Sequence, residues 1–97
     1  MPKLRYISDD EPGYTRKKWG RGFTYQDENG ETIQDEDLRA WIEAIVIPPA
    51  WTDVWISPWK NGHILATGRD DKGRKQYRYH PDWQQVRNLK KFNSLHT

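Results

Sequence analysis

The pattern of hydrophobic and polar positions consists mostly of short segments in which the two alternate, or in which β-branched and aromatic residues cluster. Both patterns are typical of β-strands. We therefore predict a sheet built from short strands. The predicted strands occupy residues 4–8, the two sides of residues 20–22, and residues 53–57, 63–70 and 74–80.

Glycines mark the turns between these segments. Gly20 and Gly22 flank Arg21, which predicts a tight turn or a bulge. Asn29 with Gly30 is the pair favoured in a type I′ hairpin turn, and Asn61 with Gly62 is a second pair of this kind. Residues 70–73, with the sequence DDKG, predict the last hairpin turn.

One apolar stripe in the middle of the chain has helical spacing. Asp35 is suited to cap the N-terminus of this helix. The helix must end by Ile47, because Pro48 follows and excludes helical geometry. We expect the stripe to pack on the sheet, with Trp51 and Trp55 in the same core. The stripe consists of Leu38, Trp41, Ile42 and Ile45.

A second helical pattern begins at Pro81, a residue suited to the first helical position. The pattern reaches the end of the chain without a stop signal, so we expect the natural protein to continue beyond Thr97. Residues 1–97 are predicted to form one α+β domain, with about five mostly antiparallel strands, a central helix and a C-terminal helix. The second apolar series is Trp83, Val86, Leu89, Phe92 and Leu95.

Composition limits the class of protein. A chain of 97 residues is long enough for a single domain. It contains no cysteine, which excludes disulfides and thiolate metal sites and fits a reducing compartment. No apolar run approaches the roughly 20 residues of a membrane span. We expect a soluble, cytoplasmic protein without a bound metal or cofactor.

The sequence offers little for catalysis. None of the serines lies in a nucleophile elbow, and the glycines around residues 68–73 lack the Lys-Ser/Thr that completes a phosphate-binding loop. The three histidines have no nearby partner at ligand spacing. On its own residues, the chain does not resemble a complete enzyme.

Charge is distributed unevenly. Residues 26–44 hold one basic and seven acidic side chains, whereas residues 54–97 hold nine basic and three acidic ones. The net charge of +2 conceals this separation. Such a layout predicts that the acidic part is solvated and that the basic part faces a partner of opposite charge.

The basic and aromatic residues are densest at 73–83, with the sequence GRKQYRYHPDW. In a strand, Lys75, Tyr77 and Tyr79 share one face, and neither face is purely apolar. An edge strand protected by charge would explain the arginines alone. A nucleic-acid surface explains the tyrosines and the glutamine as well, and a protein-interaction sheet remains the alternative. The opposite face of the strand carries Arg74, Gln76, Arg78 and His80.

Four stretches resemble the N-terminal domain of type IB DNA topoisomerases, most closely the bacterial and poxvirus branch. They are RGFTYQDENGETIQDED, IPPAWTDVWISP, NGHILATGRDDKGRKQYRYHPDW and KFNSL. The resemblance extends from about Leu4 to the end of the chain. It implies a monomeric, nucleoid-associated enzyme that clamps duplex DNA between two domains and relaxes supercoils without metal or ATP. A C-terminal catalytic domain, expected after residue 97, would supply the tyrosine of a 3′-phosphotyrosine intermediate.

The resemblance also implies the role of each matching residue. The small domain would cover the major-groove side of the duplex, supplying affinity and position and no catalytic residue. Gln76, Tyr77 and Tyr79 match the DNA-contacting strand, whereas Arg78 stands at a variable position with a phosphate or solvent role. We also expect the loop at 70–73 to be mobile in the free domain, because the like charges of residues 72–78 would be uncompensated. The matching basic positions are Lys72, Arg74, Lys75 and Arg87.

Overall fold

The computed structural model of the chain describes residues 4–94, and for residues 88–94 it describes the backbone alone. Within this range it has five strands and two helices, which confirms the predicted α+β class. The predicted side-chain positions of Leu89 and Phe92, and all of Leu95, lie outside the described part. The elements are β1 (Tyr14–Trp19), β2 (Gly22–Gln26), α1 (Glu36–Ala44), β3 (Thr52–Ile56), β4 (Ile64–Arg69), β5 (Lys75–Tyr79) and α2 (Pro81–Ser94).

The strands form one antiparallel sheet in the order β2-β1-β3-β4-β5, so β2 and β5 lie at its edges. Residues directly opposite each other on neighbouring strands project from the same face. One such row crosses all five strands and ends at Tyr77, and we call the side that carries it the Tyr77 face. The row consists of Gln26, Thr15, Trp55, Thr67 and Tyr77.

The hydrophobic core lies on the other face, beneath α1. Ile42 and Ile45 of the helix are buried against this side of the sheet, as the apolar stripe predicted, and Trp51 packs against the same cluster. Trp55 is also buried, but it lies on the Tyr77 face. The expectation that Trp51 and Trp55 share one core is therefore wrong, because Trp55 alternates with the core residues of β3. The sheet contributes Tyr25, Val54, Ile56, Leu65 and Ala66 to the core.

Residues 4–13, the N-terminal segment, cover Trp55 on the Tyr77 face. The indole Nε1 of Trp55 donates to the carbonyl of Glu11 at 2.9 Å. Gly13 lies so close to the indole and to the carbonyl of Ile56 that a Cβ there would overlap both. The strand predicted at 4–8 is wrong: Arg5 makes only an isolated bridge to Gly62, because the segment runs beside a loop that has no regular edge to pair with.

Two of the four glycine turns differ from the predicted type. Gly30 has a φ of +82° but Asn29 does not have a positive φ, so the turn is not type I′. The Asp27 carboxylate instead accepts from the backbone N–H of Asn29 and of Glu31, and this holds a wider turn. No positive φ occurs at Asn61 and Gly62, which lie in the longer β3–β4 connection. Gly20, with a φ of +56°, forms the tight β1–β2 turn as predicted.

Both helices begin as their sequences indicate. The Asp35 carboxylate accepts from the backbone N–H groups of Asp37 and Leu38, which confirms the predicted cap of α1. Helix α2 starts at Pro81, and the imidazole Nδ1 of His80 accepts from the N–H of Asp82. His80 thus serves as the cap of α2, since it satisfies one of the amide donors left free at a helix start.

Candidate nucleic-acid interface

Two stacked tyrosine rings, with a cation at each end, lie along β5. The rings of Tyr77 and Tyr79 stack with centroids 5.7 Å apart and planes inclined by 11°. The Lys75 ammonium lies 5.8 Å from the Tyr77 ring, and the Arg87 guanidinium of α2 lies 5.0 Å from the Tyr79 ring. We call these four residues the aromatic row. Their spacing allows each cation to be attracted by the negative face of a ring.

The aromatic row lies on an edge strand and faces solvent in part. Tyr77 is 41% exposed, Tyr79 is half-buried, and Lys75 and Arg87 are exposed. The sequence correctly placed Lys75, Tyr77 and Tyr79 on one face. The row therefore offers two positive charges and two phenolic hydroxyls from one surface. Such groups can bind phosphate oxygens by charge and by hydrogen bonding.

The β4–β5 turn presents two further predicted residues, Lys72 and Arg74, as exposed side chains. One Asp70 carboxylate oxygen accepts from the backbone N–H of both residues, at 2.9 Å each. Gly73 completes the turn with a φ of +76°. The bond from the Arg74 N–H is the main reason that the pKa of Asp70 is lowered. As a hydrogen-bond acceptor, the Asp70 side chain thus orders the backbone that carries the two cations.

Gln76 and Arg78 lie on the opposite face from Tyr77. Gln76 is paired with Gly68, and its Nε2 donates to the second Asp70 oxygen at 3.0 Å. Arg78 is directed toward α1, where its Nε donates to the carbonyl of Ile45 at 3.4 Å. The structure therefore gives Gln76 a bond that braces the turn, and it separates Arg78 from the aromatic row.

Asp9 is a member of this surface that the sequence reasoning missed. Its carboxylate forms an ion pair with Lys75 and accepts from the Thr67 hydroxyl at 3.2 Å. The hydrogen bond with Lys75 is the largest cause of a lowered pKa at Asp9 and of a raised pKa at Lys75. The expectation that the charges of residues 72–78 are uncompensated is therefore wrong for Lys75. No sequence-local signal links these residues, since they are far apart in the chain.

Other kinds of site find no support in the described residues. Within residues 4–94, no group of three or more His, Asp or Glu side chains is arranged to hold a metal ion. None of the helices described is both long and apolar enough to cross a membrane.

An edge strand with stacked tyrosines between cations defines the class of site, a surface suited to a polyanion. The family comparison is consistent with it. Residues 22–70, 49 of the 97 in the chain, match the model of the bacterial DNA topoisomerase IB N-terminal domain. The chain belongs to this family, which confirms the resemblance. The matched range ends before β5, so it does not itself include the aromatic row.

A viral relative supports the same family. The chain is 41% identical over 85 residues to DNA topoisomerase 1B of Acanthamoeba polyphaga mimivirus. The aligned part covers 87% of this chain and 25% of the viral protein, so the chain spans about a quarter of that relative's length. No solved structure matches the chain.

Proposed function

We propose that the chain is the DNA-binding half of a type IB topoisomerase clamp. The observation that carries this proposal is the aromatic row, in which Lys75 and Arg87 flank the stacked rings of Tyr77 and Tyr79. Membership in the topoisomerase IB N-terminal family supplies the biological setting.

In this proposal the duplex lies against β5 and the β4–β5 turn. Lys72, Arg74, Lys75 and Arg87 neutralise phosphates and release counterions. Tyr77 and Tyr79 approach the duplex from its major-groove side, and their hydroxyl groups donate hydrogen bonds to phosphate oxygens of the DNA. Gln76 reaches the duplex from the strand edge, where it would exchange its bond with Asp70 for one to a base.

The whole protein, in the same proposal, relaxes supercoiled duplex DNA in the bacterial nucleoid through a 3′-phosphotyrosine intermediate, as a monomer without metal or ATP. The reacting tyrosine would belong to a C-terminal domain that closes the clamp. The 97-residue chain alone would then leave supercoiled plasmid unchanged. Relaxation of plasmid by the pure chain would contradict this assignment.

The binding claim is tested by titrating the isotopically labelled chain with a short duplex at low salt and recording NMR shifts. We expect shifts at residues 72–79 and at Arg87, with micromolar or weaker affinity, since half a clamp makes few phosphate contacts. Arg74→Gln should weaken binding, whereas Lys60→Gln, an exposed cation in the β3–β4 connection, should not. Absent shifts, or shifts confined to residues 27–45, would refute the proposal.

A second candidate is a protein-interaction module, favoured by the position of β5 at the sheet edge, where one side of the strand can pair with another chain. Under this alternative, duplex DNA leaves the spectrum unchanged. Adding the C-terminal domain in trans would instead perturb β5. The same labelled sample therefore distinguishes the two functions.

A further inference from the structure

The β1–β2 hairpin carries a second cluster of cationic and aromatic side chains. Residues 14–26 contain four Lys or Arg and no Asp or Glu. Trp19 is 75% exposed, and Lys17 and Arg21 are exposed beside it. Within the described part of the chain, neither Lys17 nor Arg21 forms an ion pair. An exposed indole between unpaired cations has no evident role in the fold.

Arg16 shows by contrast how a cation of this hairpin is used structurally. It lies on the core face, where its guanidinium stacks over the Phe23 ring at 4.0 Å. It also donates to the carbonyls of Ile47, Pro48 and Trp51. Lys17 and Trp19 alternate with it in β1 and so lie on the Tyr77 face.

Strand register places this hairpin tip and the β4–β5 turn at the same end of the sheet. Tyr14 is paired with Ile56, so β1 runs toward the end at which β3 begins. At that end Thr52 is paired with Arg69, which in turn is paired with Lys75. β1 and β5 are three strand steps apart, which corresponds to about 14 Å across the paired part of the sheet.

We propose that Lys17, Trp19 and Arg21 form a second contact with the same DNA duplex. The separation of about 14 Å is close to the roughly 12 Å width of the major groove. When β5 lies at the sugar-phosphate backbone of one DNA strand, the hairpin tip reaches the phosphates of the other DNA strand across the groove. Lys17 and Arg21 each neutralise one phosphate, and the Trp19 ring packs on the adjoining deoxyribose. This inference rests on the proposed DNA-binding function and extends its surface across the sheet.

The test measures the affinity of the 97-residue chain for a fluorescent duplex of about 20 base pairs over a range of salt concentrations. Lys17→Gln and Arg21→Gln should each lower the slope of log K against log salt by about 0.9, the value for one phosphate contact. Trp19→Ala should weaken binding without changing the slope. Lys60→Gln removes the same charge at the opposite end of the sheet and should keep the wild-type slope.

The possible failures are distinguishable. One outcome refutes the second contact alone. In it the wild-type chain binds duplex DNA and Arg74→Gln weakens that binding, so the proposed function stands. Lys17→Gln and Arg21→Gln, however, show the same salt slope as Lys60→Gln. If wild type does not bind duplex DNA, both are refuted. Unchanged affinity in Trp19→Ala would refute the contact assigned to the indole. Thermal melting verifies that each variant is folded.

Discussion

Lys75 of β5 forms an ion pair with Asp9 of the N-terminal segment, which crosses the same face of the sheet. The Asp9 carboxylate thus pairs with a cation that, in the proposed function, binds a DNA phosphate. Asp9 also accepts from Thr67, so it is anchored to β4 as well. Under the proposed function, DNA and the N-terminal segment would therefore compete for Lys75.

Asp9→Asn should strengthen duplex binding because it releases Lys75. Asp10→Asn is a matched control, since this exposed neighbour loses the same charge without freeing Lys75. We expect Asp9→Asn to exceed the control by about two- to fivefold in affinity at low salt, the range of an exposed ion pair. Fluorescence anisotropy measures both variants. Equal affinities would show that Asp9 does not compete with DNA.

The same ion pair predicts a pH dependence of stability. The pKa of Asp9 is lowered in the folded chain, mainly by Lys75. Its contribution is thus present above the unfolded value of about 3.9 and is lost as pH falls through the lowered pKa. Asp9→Asn should cost about 0.5 kcal/mol at pH 7, as an exposed pair does. Urea unfolding should show this difference in stability between wild type and Asp9→Asn at pH 7, and no difference at about pH 2. The same difference at both pH values would contradict the prediction.

The turns at Asp27 and Asp70 form a matched pair. Each carboxylate accepts from the backbone N–H groups two and four residues later, and each turn contains a glycine with positive φ. Only the Asp70 turn adjoins the proposed DNA surface. Asp70→Asn removes the charge but keeps an acceptor, whereas Asp70→Ala removes both.

We expect Asp70→Ala to bind duplex about three- to tenfold more weakly than Asp70→Asn, because Lys72 and Arg74 lose their ordered backbone. Asp27→Ala and Asp27→Asn should bind DNA equally, although thermal melting should show that alanine destabilises either turn. Anisotropy titration of the four variants separates turn geometry from charge. A difference of the same size at Asp27 would mean that overall stability, and not the local turn, controls affinity.

Arg16 links β1 to the segment between α1 and β3 through three carbonyls. Burial lowers the pKa of its guanidinium. Arg16→Lys should destabilise the chain by about 1–3 kcal/mol, because an ammonium cannot donate in the same fork and leaves carbonyls unsatisfied. Lys17→Met, one residue further and on the other face, should stay within about 0.5 kcal/mol of wild type. Urea unfolding measures both, and equal effects would show that the fork adds no stability.

Val46 follows the C-terminus of α1 with a φ of +59°, a left-handed conformation that disfavours β-branched residues. It is 63% exposed, so replacing it removes little packing. Val46→Gly should therefore raise the free energy of unfolding by about 0.5–1 kcal/mol, since relief of strain exceeds the added entropy of the unfolded chain. Val46→Ala should gain less because it retains a Cβ. A lower urea midpoint in Val46→Gly would refute the strain.

Local chemistry determined the features that the sequence predicted well. Asp35 caps α1 through groups two and three residues away, and α1 ends at Ala44, within the limit that Pro48 sets. The shared face of Lys75, Tyr77 and Tyr79 follows from the alternation of any strand. Predictions failed where another group in the chain satisfied the backbone in a different way. The Asp27 side chain replaced the type I′ turn expected from Asn29 and Gly30.

Amino-acid order alone was enough to predict the helices, the strands from residue 14 onward and the face on which each side chain of β5 lies, because these features depend on neighbours a few residues apart. Three relationships emerge only in the folded chain: Asp9 neutralises Lys75, Arg16 is directed inward while Lys17 is exposed, and the β1–β2 hairpin shares an end of the sheet with the β4–β5 turn. Strand order and register bring these residues together, and both depend on contacts between segments far apart in the chain.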